Sequence, residues 1–154
     1  MTRFVLPPLD ESWRALPLGK LAAIKYGSAL PASSRATDGI VPVYGSGAKV
    51  GIHDTYLHNE RSIVIGRKGS VGSIVLTDGP FWCIDTAYYL DELSGAVDLD
   101  YLAIYLESLD LSRLAISVAI PGLNRKELAA VPIPLPIPFV GRGQTPSSRS
   151  VSRR

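Results

Sequence analysis

Two short apolar runs, Ile63–Ile65 and Val71–Leu76, flank a segment that holds three glycines, two adjacent cations and a hydroxyl. Runs of this length, bounded by glycine, predict strands over Arg61–Gly66 and Val71–Thr77. Phe81–Leu90 contains at least one further strand, and Ile40–Tyr44 is another, with Pro42 suiting an edge or a strand start. Gly45-Ser46-Gly47 breaks that strand. Residues 28–39 are rich in Ser, Ala, Pro and Asp and read as a loop.

Helical spacing appears later in the chain. Leu102, Tyr105, Leu106 and Leu109 fall on one face of a helix over Leu99–Leu109, with Asp98 able to cap it. A second helix starts near Asn124, where Asn124 and Glu127 have the spacing of a capping box and Leu128 begins the apolar side. A short helix is expected at Lys20–Lys25, ended by Gly27, after a first segment in which Trp13 serves as a buried anchor. Val131–Pro138 has proline at every second residue and must be extended. Strands followed by late helices give an α+β domain: a twisted, mostly antiparallel β-sheet with a few short helices.

Composition narrows this picture. A chain of 154 residues with 46% hydrophobic content suits one domain with a real core. That domain is expected over residues 1–138, followed by a basic, disordered tail at 139–154 rich in Ser, Arg and Gly. No apolar run approaches the roughly 18 residues of a membrane helix, and the first 20 residues lack a signal-peptide pattern. The single cysteine, Cys83, excludes an internal disulfide framework and a multi-cysteine zinc site. Together these favour a cytoplasmic protein without a membrane association.

The formal charge of +2 changes when it is divided. Arg142, Arg149, Arg153 and Arg154 lie in the tail, which has no acid, so the body holds 12 basic against 14 acidic residues, a net of −2. A body of that charge is not a general polyanion binder, and any nucleic-acid role must come from local clusters. Gly66–Gly72 is such a cluster: strands fix its ends, its glycines let the backbone approach a partner, and Arg67 and Lys68 stand out at the tip. The glycine spacing and the Gly-Lys-Ser/Thr order of a nucleotide-binding P-loop are absent. An ordinary glycine hairpin with solvated cations is the plain alternative.

Other candidates have equally plain readings. Phe81, Trp82, Tyr88 and Tyr89 suit a core better than a base-stacking platform. Asp85 with Thr86 suits a local turn or strand-end hydrogen bond, and Cys83 suits a buried, inert thiol. His53, Asp54 and His58 invite a metal or hydrolase reading, but two histidines five apart do not match helix-borne zinc spacing and no third ligand stands nearby.

Several motifs occur in a fixed order: Trp13 with Leu18-Gly19; Val41-Pro42-Val43-Tyr44-Gly45-Ser46-Gly47; Gly51-Ile52-His53-Asp54; and Ile63-Val64-Ile65-Gly66-Arg67-Lys68-Gly69-Ser70-Val71-Gly72. Phe81 through Tyr89, Ile120-Pro121-Gly122-Leu123-Asn124-Arg125 and Ile133-Pro134-Leu135-Pro136 follow. In this order the chain resembles the target recognition domain of the specificity subunit of type I restriction-modification enzymes, from about Trp13 to Pro136. The resemblance implies a non-catalytic domain without cofactor or metal. Such a domain binds one half of a split double-stranded DNA site and directs methyltransferase and restriction subunits to it.

On that reading Arg67 binds guanine or clamps a phosphate, Lys68 contacts phosphate, and Ser70 with the Gly69 and Ser70 amides adds phosphate bonds. Tyr44, Ser46 and Lys49 form a second reading loop. Asn124 and Arg125 stand at a helix start that favours an anion, although Asn124 can equally be a cap alone. The resemblance also implies a second recognition domain and long spacer helices. This chain has one domain and no heptad-bearing helix, which points to a truncation or to a half-subunit that pairs with a second specificity half-subunit. Two other readings stand beside it: an interaction module that occupies a methyltransferase subunit as a decoy, and a small hydrolase using His53 or His58 with Asp54 or Asp85.

Overall fold

The computed structural model describes residues 11–115 and 122–136. Its elements run in the order β1 (Trp13–Pro17), α1 (Leu18–Leu21), β2 (Ala23–Tyr26), β3 (Val41–Tyr44), β4 (Lys49–His53), β5 (Ile63–Gly66), β6 (Ile74–Leu76), β7 (Trp82–Cys83), β8 (Ala87–Asp91), α2 (Leu99–Ser108), α3 (Arg125–Ala129) and β9 (Pro132–Pro136). Single 3-10 turns stand at Ala32–Ser34 and Leu111–Leu114. The domain is α+β with mostly antiparallel pairing, divided into three small sheets.

β5 shows why the sheets lie where they do. Ile63, Val64 and Ile65 form a continuous apolar run, so a strand here must bury both faces. It sits between β8 and β6, in the sheet order β2-β8-β5-β6. Ile63 and Ile65 join Tyr88 and Leu90 of β8 in the main core, against Leu102 and Leu106 of α2, Leu128 of α3 and Ile133 and Leu135 of β9. Val64, Ala87 and Tyr89 face a smaller core with Phe81 and Cys83. The second sheet, β4-β3-β7, joins β3 to β4 antiparallel and to β7 in parallel. In β3 the proline precedes the two residues that pair with β7, so its missing donor is needed at no ladder position there.

The late elements follow their sequence signals. Asp98 caps α2 through its carboxylate, which accepts from the Tyr101 amide at 3.0 Å. Its buried residues are Leu102, Ala103 and Leu106, with Tyr105 and Leu109 partly buried against the same core. Pro132–Pro136 of the proline-alternating segment pairs with β1 in a two-stranded sheet, so its prolines face no second strand that would need their donors. Phe81, Tyr88 and Tyr89 are core residues, and Trp82 is partly covered.

Four expectations are corrected. The first helix is shorter and earlier, because Ala23–Tyr26 pairs with β8 and draws Lys25 into a strand. Trp13 is 38% exposed: it pairs with the exposed Pro136 at the outer end of the two-stranded sheet, where no further layer covers it among the described residues. Lys49, expected in a loop, opens the strand β4, because that strand's backbone pairs with β3 through Gly51 although its first residues are exposed. The strand expected from Val71 begins only at Ile74, since Val71–Ser73 belong to the turn. The 139–154 tail and the Ile120-Pro121 pair lie outside the described residues. No described helix is long and apolar enough to cross a membrane.

Candidate nucleic-acid interface

The β5–β6 connection is a folded loop. The Arg67 and Lys68 amides both donate to the Thr86 carbonyl, at 2.9 and 3.0 Å. The Gly72 amide closes back on the Gly66 carbonyl at 2.8 Å, and the Ser73 amide reaches Ser70 at 3.2 Å. Gly66 is required by close approach: a Cβ there would meet the Ser70 carbonyl oxygen at 2.0 Å. Gly69 serves the tip instead, with φ +75° and no atom within 4 Å of a Cβ position. Lys68, Gly69 and Ser70 are exposed, and the Gly69 and Ser70 amides have no acceptor among the described residues.

The turn between β3 and β4 packs against this loop. Ser46 donates its hydroxyl to the Ser70 carbonyl at 2.9 Å, and its amide donates to Thr86 Oγ1 at 3.3 Å. Ser46 therefore staples the two loops together, and Thr86 gathers both from below. Its neighbours in the expected second loop differ from it. Tyr44 lies in β3 with its ring edge-on to Phe81 at 6.1 Å, and burial, with Asp78 nearby, raises its phenol pKa. Lys49 is exposed but opens β4. The structure thus spreads this trio over two strands and a turn, because the β3–β4 hairpin is tighter than its glycines suggest.

Arg67 is not free at the tip. Its Nε and one Nη donate to the Asp85 carbonyl at 3.0 and 2.6 Å. Its guanidinium lies 5.4 Å from the Tyr26 ring centroid and 5.9 Å from that of Tyr88. Two of its five N–H donors are consumed, which leaves three at the end of the guanidinium, one on the bonded Nη and two on the other.

Arg125 arrives at the same ring from α3, 5.0 Å from the Tyr26 centroid. The Asn124 carboxamide oxygen accepts from the Lys126 and Glu127 amides at 2.8 and 3.4 Å, so Asn124 is a working cap whose Nδ2 makes no hydrogen bond to a described residue. The segment is bolted to the loop. The Leu123 amide donates to the Arg67 carbonyl at 2.9 Å, and the Tyr88 hydroxyl donates to the Leu123 carbonyl at 2.7 Å. Burial, with Tyr26 beside it, pushes the Tyr88 phenol up to about 12.

The structure therefore brings Arg67, Lys68, Gly69, Ser70 and Ser46 into one pair of stapled loops and sets Arg125 next to them. Sequence reasoning missed Tyr26, which joins the two arginines. Its only signal is an aromatic beside Gly27, which is too common to single out. It missed the Asp85 carbonyl for the same reason, since a main-chain acceptor leaves no trace in side-chain chemistry.

The histidines are engaged elsewhere. His53 Nδ1 accepts from the Ala36 amide at 3.3 Å, its Nε2 is 3.4 Å from Asp54, and its ring packs edge-on to Trp82. His58 packs on Phe81 and Tyr89, with Nδ1 3.8 Å from Asp91. Cys83 is buried, and that burial pushes its thiol up to about 12. Among the described residues no group of three His, Cys, Asp or Glu side chains could hold a metal ion.

Residues 10–139 match the family model described as the type I restriction modification DNA specificity domain. Among solved structures, the chain is similar to the type I restriction-modification S subunit from M. genitalium, at 23% identity and a TM-score of 0.71 over 85% of this chain and 36% of that one. It is also similar to the HsdS subunit from Thermoanaerobacter tengcongensis, at 22% identity and a TM-score of 0.65 over 84% of this chain and 34% of that one. A third similar structure, described by the complex assembly and conformational transition of the type I R-M system, has 20% identity and a TM-score of 0.68, over 84% and 35%. The chain thus spans about a third of the length of these relatives. No curated protein sequence matches it.

Proposed function

The chain belongs to the type I restriction-modification DNA specificity domain family, and from that premise we propose that it binds double-stranded DNA at one half of a split target site. It performs no chemistry of its own and directs methyltransferase and restriction subunits to that site. A second recognition unit, on another specificity half-subunit, completes the bipartite site.

The observation that carries this reading is the pair of stapled loops. A DNA backbone is met by cations and amide donors on a surface whose conformation is already fixed, so that little ordering entropy is lost on binding. Here the Ser46–Ser70 and Thr86 hydrogen bonds fix the loops, while Lys68 and the Gly69 and Ser70 amides remain open to solvent. Lys68 suits a phosphate as a point charge on a flexible stem, and Ser70 adds a hydroxyl donor.

The test is the double variant Arg67→Ala/Lys68→Ala, with binding to a pool of duplex DNA followed by anisotropy alone and with the methyltransferase subunit. Binding should fall by at least tenfold well below the melt, with only the few-degree drop in melting temperature expected from loss of the Arg67–Asp85 hydrogen bonds. Unchanged DNA binding by the double variant removes the loop from the account. Capture of the methyltransferase subunit with no DNA binding by the wild type favours the decoy role.

A further inference from the structure

We propose that Tyr26 is a positioning residue whose ring holds the Arg67 and Arg125 guanidiniums as a paired clamp for DNA phosphates. The inference rests on the DNA-binding reading and divides the labour within it.

Tyr26 ends β2, an edge strand, and is 50% exposed. An aromatic in such a place contributes little to the core, yet two guanidiniums lie within 5.4 Å of its centroid. Neither arginine has a carboxylate partner among the described residues. Two like charges sharing one ring repel each other, so the arrangement is completed by an anion. The ring's π-face offsets part of that repulsion and orients both planes.

The mounting is rigid. Tyr88 packs beside Tyr26 at 5.1 Å between centroids and is tied by its hydroxyl to Leu123. Leu123 in turn is bonded through its amide to the Arg67 carbonyl. The segments carrying the two arginines are therefore joined by their main chains before any ligand arrives.

The donors left over identify the ligand. With Nε and one hydrogen of one Nη on the Asp85 carbonyl, Arg67 keeps three N–H donors as an end-on fork. Arg125 makes no hydrogen bond to a described residue, so its whole fork remains for a phosphate. Two such forks beside one ring suit the several anionic oxygens of phosphate, which neutralise both charges, better than the neutral edge of one base. The clamp grips the backbone without reading sequence, and base reading falls to other groups on the loops.

The experiment uses the full chain and a mixed-sequence duplex, with affinity measured from 50 to 200 mM salt. Tyr26→Leu should weaken binding about 5- to 30-fold through the loss of two ring contacts. It should also flatten the salt slope by roughly one to two, since each phosphate contact contributes about 0.9. Tyr26→Phe keeps the ring and should stay within about twofold of wild type. Arg125→Ala should flatten the wild-type slope by about one and have little further effect in the Tyr26→Leu background. A wild-type slope in Tyr26→Leu, equal effects of Arg125→Ala in both backgrounds, or a Tyr26→Phe that behaves like Tyr26→Leu overturns the clamp alone. Should Tyr26→Leu fail to fold, the exposed Arg125→Ala still decides, and an unchanged slope there is fatal to the clamp. Absence of any wild-type binding overturns the DNA-binding reading and the clamp together.

Discussion

Gly66→Ala perturbs the point at which fold and interface depend on the same atom. The added Cβ would lie 2.0 Å from the Ser70 carbonyl oxygen, 2.4 Å from Ser73 Oγ and 2.5 Å from Ser46 Oγ. The serine hydroxyls can rotate away, but the carbonyl cannot. The loop is closed by the Gly72–Gly66 hydrogen bond at 2.8 Å and the Gly66–Ser73 bond at 2.9 Å, so moving Ser70 strains both. The Ser46–Ser70 staple is lost as well. Overpacking of this kind costs about 1–3 kcal/mol, and each lost hydrogen bond about 1 kcal/mol, so a total near 3 kcal/mol is expected. For a domain of this size that corresponds to a fall of roughly 6–12 °C in melting temperature. Thermal melts by circular dichroism measure it, and duplex binding well below the melt should drop in parallel because the loops part. Gly79→Ala, where a Cβ meets nothing within 4 Å, should be near neutral. Gly69→Ala should lie between them, at about 1–2 kcal/mol, from its positive φ alone. A Gly66→Ala protein that melts and binds DNA like the wild type would refute the close-packed loop.

Three further outcomes are expected. Asn124→Ala should cost about 0.5–2 kcal/mol through loss of the α3 cap, read from urea unfolding. Asn124→Asp should keep the cap yet weaken duplex binding, which separates capping from DNA contact at that side chain. Leu106→Ala, in the buried face of α2, should cost about 2–5 kcal/mol on the same assay. Cys83 and Tyr88, both pushed up to about 12, contribute stability that is fully present below their unfolded values of 9.0 and 10.0 and is lost as pH rises toward 12. Alkaline melts should therefore fall across that window, and the native thiol should stay unreactive to iodoacetamide at pH 8 until urea exposes it.

What could be read from the sequence follows the physics of each signal. α2 was legible because its cap and its apolar spacing are both local, and Asp98 and Leu102–Leu106 lie within one helix. β9 was legible because alternate prolines leave the backbone little choice. α1 was misplaced because Leu16–Ile24 is nearly all apolar, and only pairing with β8, more than 60 residues away, decides where helix gives way to strand. β4 was hidden by its glycine and its exposed start, and depends on β3 for its conformation.

The interface divides the same way. The open tip at Lys68, Gly69 and Ser70 follows from glycines beside cations. The commitment of Arg67 does not, because its partners are the Asp85 carbonyl and the Tyr26 ring, brought near only by the sheet. The sheet thus fixes in place a guanidinium that the sequence leaves open between guanine and phosphate.

The central claim, that this domain reads one half of a DNA target, is tested most directly by selection from a duplex library with a randomised core. The full chain is used alone and together with the methyltransferase subunit. The account predicts enrichment of one short sequence, and loss of that enrichment in Arg67→Ala/Lys68→Ala. A bound pool indistinguishable from the input in both arms would contradict it.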